Sequence, residues 1–185
     1  MARRRAASSG KKINPNFWVF CEGETEEAYV SYLRSRYRIQ ITIIPKIVGD
    51  RITTRFIRSY KKGKPVHEKD RDFLMYDADV PQILEQLKAI KTATLLSSSP
   101  SIELWFLMHY KNQTSSITTK DCMKELSNRN RNNYRKGVID ARLELKLSDH
   151  VLDACKRARC LTLFLNPSSN ICEFIEILEH IRKNK

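Results

Sequence analysis

Glycine and proline are scarce in this sequence, with 5 and 6 residues among 185. Such low counts exclude collagen-like and proline-rich low-complexity chains. A run of about 18 apolar residues is also missing, which excludes a transmembrane helix, and the basic start lacks the apolar stretch of a secretory signal. Apolar residues still make up 41% of the chain, which is enough to bury the core of one domain.

The five cysteines show no CxxC spacing, and their number is odd. This pattern suits neither a disulfide framework nor a zinc site. Because reduced thiols are typical of cytosolic proteins, we predict a cytoplasmic protein without a membrane contact.

Positive charge is what the sequence has in excess: 34 Lys and Arg stand against 21 Asp and Glu, a formal net charge of +13. Five of the basic residues lie within the first twelve positions, so 13 − 5 = +8 remains on the rest of the chain. Strongly basic domains bind polyanions, with nucleic acid as the default partner. The alternatives are a partner protein with an acidic face, or solubility alone.

Short apolar runs alternate with amphipathic stretches over the first 110 residues, and helical patterns follow. This order predicts an α/β fold with a mostly parallel central sheet flanked by helices and a helical C-terminal part. We predict a disordered basic arm at 1–15 and one domain at 16–185, with an α/β core at 16–110 and a mainly helical extension at 111–185. Strands are predicted at 17–21, 40–48, 71–81 (ending in acids and a proline) and 92–100, and helices at 28–37, 49–60, 81–91, 101–110, 120–127, 137–145, 148–159 and 170–183.

Acidic residues follow two of the predicted buried strands. Glu22 ends the first strand and Glu26 lies one helical turn further on, whereas Asp77 and Asp79 end the third strand. Each pair has a structural explanation, because acids favour a first helical turn and Thr25 or Asp79 could cap a helix. Together the two pairs are stronger evidence for a functional site, since the carboxyl ends of parallel strands lie at one edge of the sheet. Four carboxylates there predict an Mg²⁺ or Mn²⁺ site.

Several blocks of residues, spread along the chain, resemble motifs of known protein families. They are the basic start, Phe20-Cys21-Glu22-Gly23-Glu24-Thr25-Glu26, Tyr76-Asp77-Ala78-Asp79, the run from Pro100 to Tyr110, Asn133-Tyr134-Arg135-Lys136, and Asn166-Pro167-Ser168-Ser169. The Glu-Gly and Asp-x-Asp motifs resemble the Toprim domain of primases, topoisomerases and OLD-type nucleases. The whole set resembles the RloB family of bacterial phage-defence proteins. Ser99 is a departure, because that family more often has Asn before the proline.

The resemblance implies a Toprim-like fold, with Glu22 as acid/base and metal contact, Asp77 and Asp79 as Mg²⁺ ligands, and Glu26 as a second metal-binding glutamate. It also implies a role in anti-phage defence or abortive infection beside an ABC/SMC-type, RloA-like ATPase. A homodimer is kept as a further candidate assembly. The identity of the substrate does not follow from the resemblance.

Two further groups have both a structural and a functional interpretation. Glu103 and His109 lie in an apolar helical stretch, where such residues usually belong to the core. A buried Glu needs a partner, however, and a position beside the metal site would explain both residues. Both are therefore catalytic candidates. Tyr134 with its basic neighbours is either a solvated loop or a nucleic-acid contact. The predicted contact residues are Arg129, Arg131, Tyr134, Arg135 and Lys136, with Arg3, Arg4 and Arg5 of the arm.

Two functional hypotheses follow from these observations. The first is an Mg²⁺-dependent Toprim endonuclease acting on RNA, for example tRNA, or on DNA. The second is a non-catalytic basic nucleic-acid-binding or adaptor subunit, in which the acids only cap helices. A primase-like or topoisomerase-like activity is a third hypothesis, which the lack of room for further catalytic domains disfavours.

Overall fold

The computed structural model describes residues 14–184, so the predicted contacts Arg3, Arg4 and Arg5 lie outside the described residues. The strands are β1 (Asn16–Cys21), β2 (Thr42–Ile47), β3 (Arg71–Asp77), β4 (Thr94–Ser99) and the two-residue β5 (Ser168–Ser169). The helices are α1 (Glu24–Tyr37), α2 (Thr54–Lys61), α3 (Pro81–Ala89), α4 (Ile102–Leu107), α5 (Thr119–Arg129), α6 (Ala141–Asp149), α7 (Val151–Arg159) and α8 (Ile171–Lys183), with a 3₁₀ turn at Gly49–Arg51.

One five-stranded sheet organises the chain, in the order β2-β1-β3-β4-β5. The first four strands are parallel, and β5 pairs antiparallel with β4 through Ser98 and Ser169. The prediction of an α/β fold with a mostly parallel sheet and flanking helices is therefore confirmed. Pro45 lies in β2, at the edge of the sheet, where a missing N–H does not break a ladder between two neighbours.

Both faces of the sheet are covered, which explains the continuous apolar run of β1. Phe17, Val19 and Cys21 belong to the larger core, against α1 and α4 to α8. Trp18 and Phe20 point to the opposite face, where they pack with residues of α2 and α3. Because successive side chains of a strand point to opposite sides, a strand covered on both faces needs apolar residues at every position.

Several helix boundaries differ from the sequence prediction. Helix α2 begins at Thr54 and not at 49, because a separate 3₁₀ turn occupies Gly49–Arg51. Helix α1 begins at Glu24 and not at 28, with Gly23 as its N-cap, so the proposed cap Thr25 lies inside the helix. Helix α6 spans Ala141–Asp149 and not 137–145, because the Asp140 side chain accepts a hydrogen bond from the Leu143 amide and starts the helix there. No helix within residues 14–184 has the length and apolar character needed to cross a bilayer.

The segment before α8 is buried. Ser168, Ser169 and Asn170 are all less than a tenth exposed. The Asn170 side chain accepts a hydrogen bond from the Ser97 amide and donates one to the Leu95 carbonyl, at 2.6 and 2.9 Å. This asparagine therefore joins α8 to β4.

Candidate active site

A small cleft of about 260 Å³ opens at the carboxyl edge of the sheet, where β1 and β3 end and α1 begins. Acidic side chains dominate its wall, and one lysine accompanies them. The lining residues are Glu22, Gly23, Glu24, Thr25, Glu26, Asp77, Glu103 and Lys136. Two of the acidic motifs of the sequence and two distant residues therefore meet in one place.

Glu22 and Asp77 are connected directly. The Asp77 amide donates a hydrogen bond of 2.8 Å to a Glu22 carboxylate oxygen. The Asp77 carboxylate in turn accepts a 3.0 Å hydrogen bond from the Ile102 amide at the start of α4. Each carboxylate is thus held by one backbone donor.

Glu26 faces back toward the end of β1. Its carboxylate accepts a 2.9 Å hydrogen bond from the Gly23 amide, which satisfies a backbone donor at the start of α1. The next residue back, Thr25, accepts a 3.0 Å hydrogen bond from the Gly137 amide. Gly137 has a φ of +73°, and a Cβ there would lie 3.3 Å from Glu24, so a side chain at this position would be both strained and crowded.

Glu103 is the most enclosed acid of the cleft, with 1% of its surface exposed. Its two oxygens accept hydrogen bonds from the Ser101 hydroxyl at 2.7 Å and the Tyr134 hydroxyl at 2.9 Å. The indole of Trp105 donates to the Tyr29 hydroxyl at 2.7 Å, which holds α4 against α1. Glu103 therefore has the partners that a buried carboxylate requires.

The electrostatic state of the cleft follows from burial and crowding of like charges. Burial, with the charges of Glu26 and Glu22, raises the pKa of Asp77 to about 9. Burial raises the pKa of Glu26 to about 7, against two backbone hydrogen bonds that lower it. The pKa of Glu22 is also raised by partial burial, while its bond to the Asp77 amide and the charge of Lys136 lower it. A bound cation would relieve this repulsion.

The structure brings together most of the acids predicted from the sequence. Glu22, Glu26, Asp77 and Glu103 all line the cleft, together with the predicted nucleic-acid contact Lys136. Asp79 is exposed and does not line it, although its charge helps to raise the pKa of Glu22. The predicted metal role of these residues stays a prediction.

His109 lies elsewhere. It is 1% exposed, its Nδ1 lies 2.9 Å from the Trp105 carbonyl oxygen, and it is not among the lining residues of the cleft. Burial lowers its pKa to about 3, so the ring is neutral at physiological pH. These features give the histidine a place in the core, and its predicted catalytic role has no geometric support here.

The predicted basic patch divides into two parts. Two of its residues face the cleft. Tyr134 donates a hydrogen bond to Glu103, and Lys136 lines the cleft. Arg129, Arg131 and Arg135 are exposed around the same turn, and Arg129 pairs with Glu125 at 3.3 Å. Burial and the neighbouring Glu103 raise the pKa of Tyr134, which therefore stays a hydrogen-bond donor.

The donor set of the cleft fits a hard divalent cation, because it consists of carboxylate oxygens. As the side chains stand within residues 14–184, no three His, Cys, Asp or Glu residues form a ready-made metal cluster. Mg²⁺ can bind through one or two carboxylates and keep several waters for phosphate, so it does not depend on such a cluster. Glu22 and Asp77, joined across the two strand ends, are the residues best placed to supply those carboxylates.

Three residues that line the cleft or act on its charges were not predicted as site residues. Glu24 and Thr25 line the cleft, and the charge of Asp50 contributes to the raised pKa of Glu22. Glu24 and Thr25 stand inside the acidic stretch after β1, so their position was a usable signal. Nothing in the sequence pointed to Asp50, because only the fold places the end of β2 beside the end of β1.

Comparison with known proteins gives a family and one structural likeness. The family model described as RloB-like protein matches residues 17–178. No curated protein matches the chain. Among solved structures, the C-terminal region of the Burkholderia pseudomallei OLD protein is similar at 13% sequence identity and a TM-score of 0.36, covering 91% of this chain and 97% of that one.

Proposed function

This chain belongs to the RloB-like protein family, and on that premise we propose that it is a divalent-cation-dependent nuclease that hydrolyses phosphodiester bonds. The observation that carries the proposal is the convergence of Glu22, Glu26, Asp77 and Glu103 with Lys136 in one cleft. An acidic cleft is unexpected on a chain of net charge +13. The combination suits an enzyme whose basic surface holds a polyanion while its carboxylates hold a cation.

Glu22 and Asp77 would hold the cation, with Glu26 beside them. A bound Mg²⁺ or Mn²⁺ polarises a phosphate and lowers the pKa of coordinated water. Neither effect requires a preformed cage of protein ligands, because phosphate and water complete the coordination.

The chain's own groups supply positioning, proton transfer and charge. Glu22 or Glu26 would accept a proton from the attacking water, and a pKa of about 7 suits Glu26 to this exchange near neutral pH. Lys136 would stabilise the negative charge that develops on the phosphate. Glu103 orients the turn that carries Lys136, through its hydrogen bond to Tyr134.

The biological setting of the proposal rests on resemblance to phage-defence proteins. The chain would act as an effector whose activity leads to abortive infection. An ABC/SMC-type, RloA-like ATPase would be its partner and would release the activity when phage is sensed. RNA, including tRNA, and DNA are both candidate substrates, because both carry the phosphodiester that the proposed chemistry needs.

A second candidate function is nucleic-acid binding without catalysis. This function is favoured because three of the acids already have a structural role as hydrogen-bond acceptors. The donors are the Asp77 amide for Glu22, the Ile102 amide for Asp77 and the Gly23 amide for Glu26. In this case the acids serve to join strand ends and helix starts, and the positive surface is the functional part.

Cleavage assays separate the two functions. Wild-type protein is incubated with tRNA, single-stranded RNA, single-stranded DNA and duplex DNA, in Mg²⁺, in Mn²⁺ and in EDTA. The variants are Glu22→Gln and Asp77→Asn, which preserve shape and hydrogen-bond acceptors. Glu68→Gln is the matched control, because Glu68 is an exposed carboxylate away from the cleft.

The nuclease proposal predicts cleavage that needs a divalent ion, survives Glu68→Gln and falls by about 100-fold or more in the other two variants. Cleavage that persists at the wild-type rate in both cleft variants would refute it. Binding without cleavage of any substrate, in either metal ion, would favour the second candidate. The assay should include the partner ATPase, so that an inactive isolated chain is not mistaken for a non-enzyme.

A further inference from the structure

Positive charge is concentrated in one short segment that the sequence analysis did not single out. Residues 46–64 contain seven Lys or Arg residues and one Asp, a net charge of 7 − 1 = +6 over 19 positions. Nearly half of the net charge of +13 therefore comes from about a tenth of the chain. The segment runs from the end of β2 through the 3₁₀ turn and α2 into the following loop.

In this segment the apolar side chains of α2 face the core and basic side chains face the solvent. Ile57 is buried, and Phe56 and Tyr60 pack against the core beneath the sheet, with Phe20 edge-on to both rings. On the outside four basic side chains are exposed at intervals of four, three and four residues. These residues, called here the α2 basic face, are Arg51, Arg55, Arg58 and Lys62.

The other lysines of the segment already have partners. Lys61 forms an ion pair with Asp72 at 2.8 Å. Lys64 lies 3.3 Å from the centre of the Tyr60 ring and 4.9 Å from that of Trp18, and Lys46 lies 5.9 Å from the Tyr60 ring. In contrast, within residues 14–184 no member of the α2 basic face pairs with a carboxylate. Clustered charges of one sign, without compensation, favour a bound polyanion.

The α2 basic face begins beside the acidic cleft. The Tyr76 hydroxyl donates a 2.8 Å hydrogen bond to the Gly49 carbonyl, and the Val48 amide bonds to the Cys21 carbonyl at 2.9 Å. These bonds fix the turn that carries Arg51 to the ends of β1 and β3. From there α2 leads away from Glu22 toward the start of β3, where Lys61 pairs with Asp72. A groove of about 680 Å³ lies along this end of α2, lined by Arg55, Arg58 and Lys62 among others.

The dimensions match a nucleic-acid backbone. From Arg55 to Lys62 the helix rises about 10 Å, which is about three nucleotide steps, or four consecutive phosphates, of one strand at 3.4 Å per step along a duplex axis. An exposed helix face with regularly spaced cations can follow such a backbone without contact to the bases. Binding of this kind is independent of base sequence and strongly dependent on salt.

We propose that the α2 basic face binds the phosphodiester backbone of the nucleic-acid substrate and directs it toward Glu22. The inference rests on the proposed nuclease function for the role of the bound strand, but the binding itself can be measured alone. It places the main backbone contact on the sheet face that α2 and α3 cover, distinct from the segment that carries Arg129 to Lys136.

The test is a binding titration of full-length protein in EDTA, which prevents cleavage. The probes are fluorescently labelled single-stranded RNA and DNA of about 16 nucleotides, at roughly 50 to 200 mM salt. The variant is Arg55→Gln/Arg58→Gln/Lys62→Gln. Its matched control is Lys120→Gln/Lys124→Gln/Lys156→Gln, which removes the same charge from exposed positions on α5 and α7. Thermal unfolding verifies that both variants remain folded.

The α2 variant should bind about 10- to 100-fold more weakly near 0.1 M salt, and the slope of log affinity against log salt should fall by about 2. The control should keep the wild-type slope. Equal losses in both triple variants would overturn the inference, as would an unchanged α2 variant. Wild-type binding to anionic lipid vesicles or an acidic polypeptide, but to neither nucleic acid, would also overturn it.

Failure of this inference is distinguishable from failure of the proposed function. Wild-type cleavage with unimpaired binding by the α2 variant would leave a nuclease whose substrate is held elsewhere. Loss of binding in the α2 variant, combined with no cleavage by the wild type in any metal ion, would leave a binding protein whose contact surface is α2.

Discussion

The amide of Asp77 donates a 2.8 Å hydrogen bond to the carboxylate of Glu22. These residues are 55 positions apart in the chain, and the bond joins the ends of the neighbouring parallel strands β1 and β3. It also holds the Glu22 carboxylate beside Asp77, at the edge where parallel sheets bind ligands. The proposed cation site consists of that pair and the acids that crowd around it.

Replacement of Asp77 by Asn should stabilise the metal-free protein. The Asp77 carboxyl keeps its proton in the fold up to about pH 9, whereas in the unfolded chain it ionises near pH 4. Its contribution to wild-type stability is therefore lost progressively as the pH rises between these values. Asn stays neutral and can still accept the hydrogen bond from the Ile102 amide.

Thermal unfolding in EDTA checks this prediction. Near pH 8 the Asp77→Asn variant should melt about 2 to 6 °C above the wild type, and the difference should shrink toward pH 5. The exposed control Glu68→Gln should show no comparable gain. A variant less stable than the wild type near pH 8 would mean that the Asp77 carboxylate is not under repulsion in the fold.

Removal of the Tyr134 hydroxyl should destabilise the protein. Tyr134→Phe leaves one oxygen of the buried Glu103 without its 2.9 Å donor, and an unsatisfied buried acceptor costs about 1 to 3 kcal/mol. Urea unfolding measures the loss. Tyr60→Phe is the control, because the Tyr60 hydroxyl has no hydrogen bond among the described residues. Equal effects of the two substitutions would show that the bond to Glu103 is unimportant.

His109 should make the protein sensitive to mild acid. In the fold its pKa is about 3, but in the unfolded chain it is near 6.5. Only the unfolded state gains a proton between these values, so stability present above about pH 6.5 falls as the pH is lowered. The wild type should lose about 1 kcal/mol more than His109→Gln between roughly pH 6.5 and 5.5. Parallel stability profiles for the two proteins would contradict this.

Lys136 should contribute to the chemical step more than to substrate binding. It is the cation that lines the acidic cleft among the described residues, so Lys136→Gln should lower kcat by about 100-fold with a smaller change in KM. Lys136→Arg should recover part of the rate, because it restores the charge. Lys124→Gln, on the exposed side of α5, is the control. A change confined to KM would assign Lys136 to binding alone.

The sheet could be predicted from the sequence because its strands carry a local signal. Strands β1 and β3 are continuous apolar runs, as strands covered on both faces must be, and turn residues or acids end them. Strand β5 has no such signal: it consists of Ser168 and Ser169, and only its pairing with β4 makes it a strand. The start of α6 at Asp140 was readable as an N-cap but was missed.

The site was partly predictable for the same reason. Glu22 and Asp77 stand at strand ends, so topology alone places them on one edge. The partnership of Glu103 with Tyr134 is different, because it joins residues 31 positions apart through a turn without regular structure. The α2 basic face was not predicted, because two or three other residues separate its charges in the sequence and only the helix brings Arg55 and Arg58 to one side.

Calorimetric titration of Mn²⁺ and Mg²⁺ into metal-free protein tests the central claim most directly. The proteins compared are the wild type, Asp77→Asn, and the control Glu68→Gln. The account predicts saturable binding by the wild type and the control, and loss of the binding heat in Asp77→Asn. Equal binding by all three proteins would place the ion outside the acidic cleft, and so contradict the role assigned here to Glu22 and Asp77.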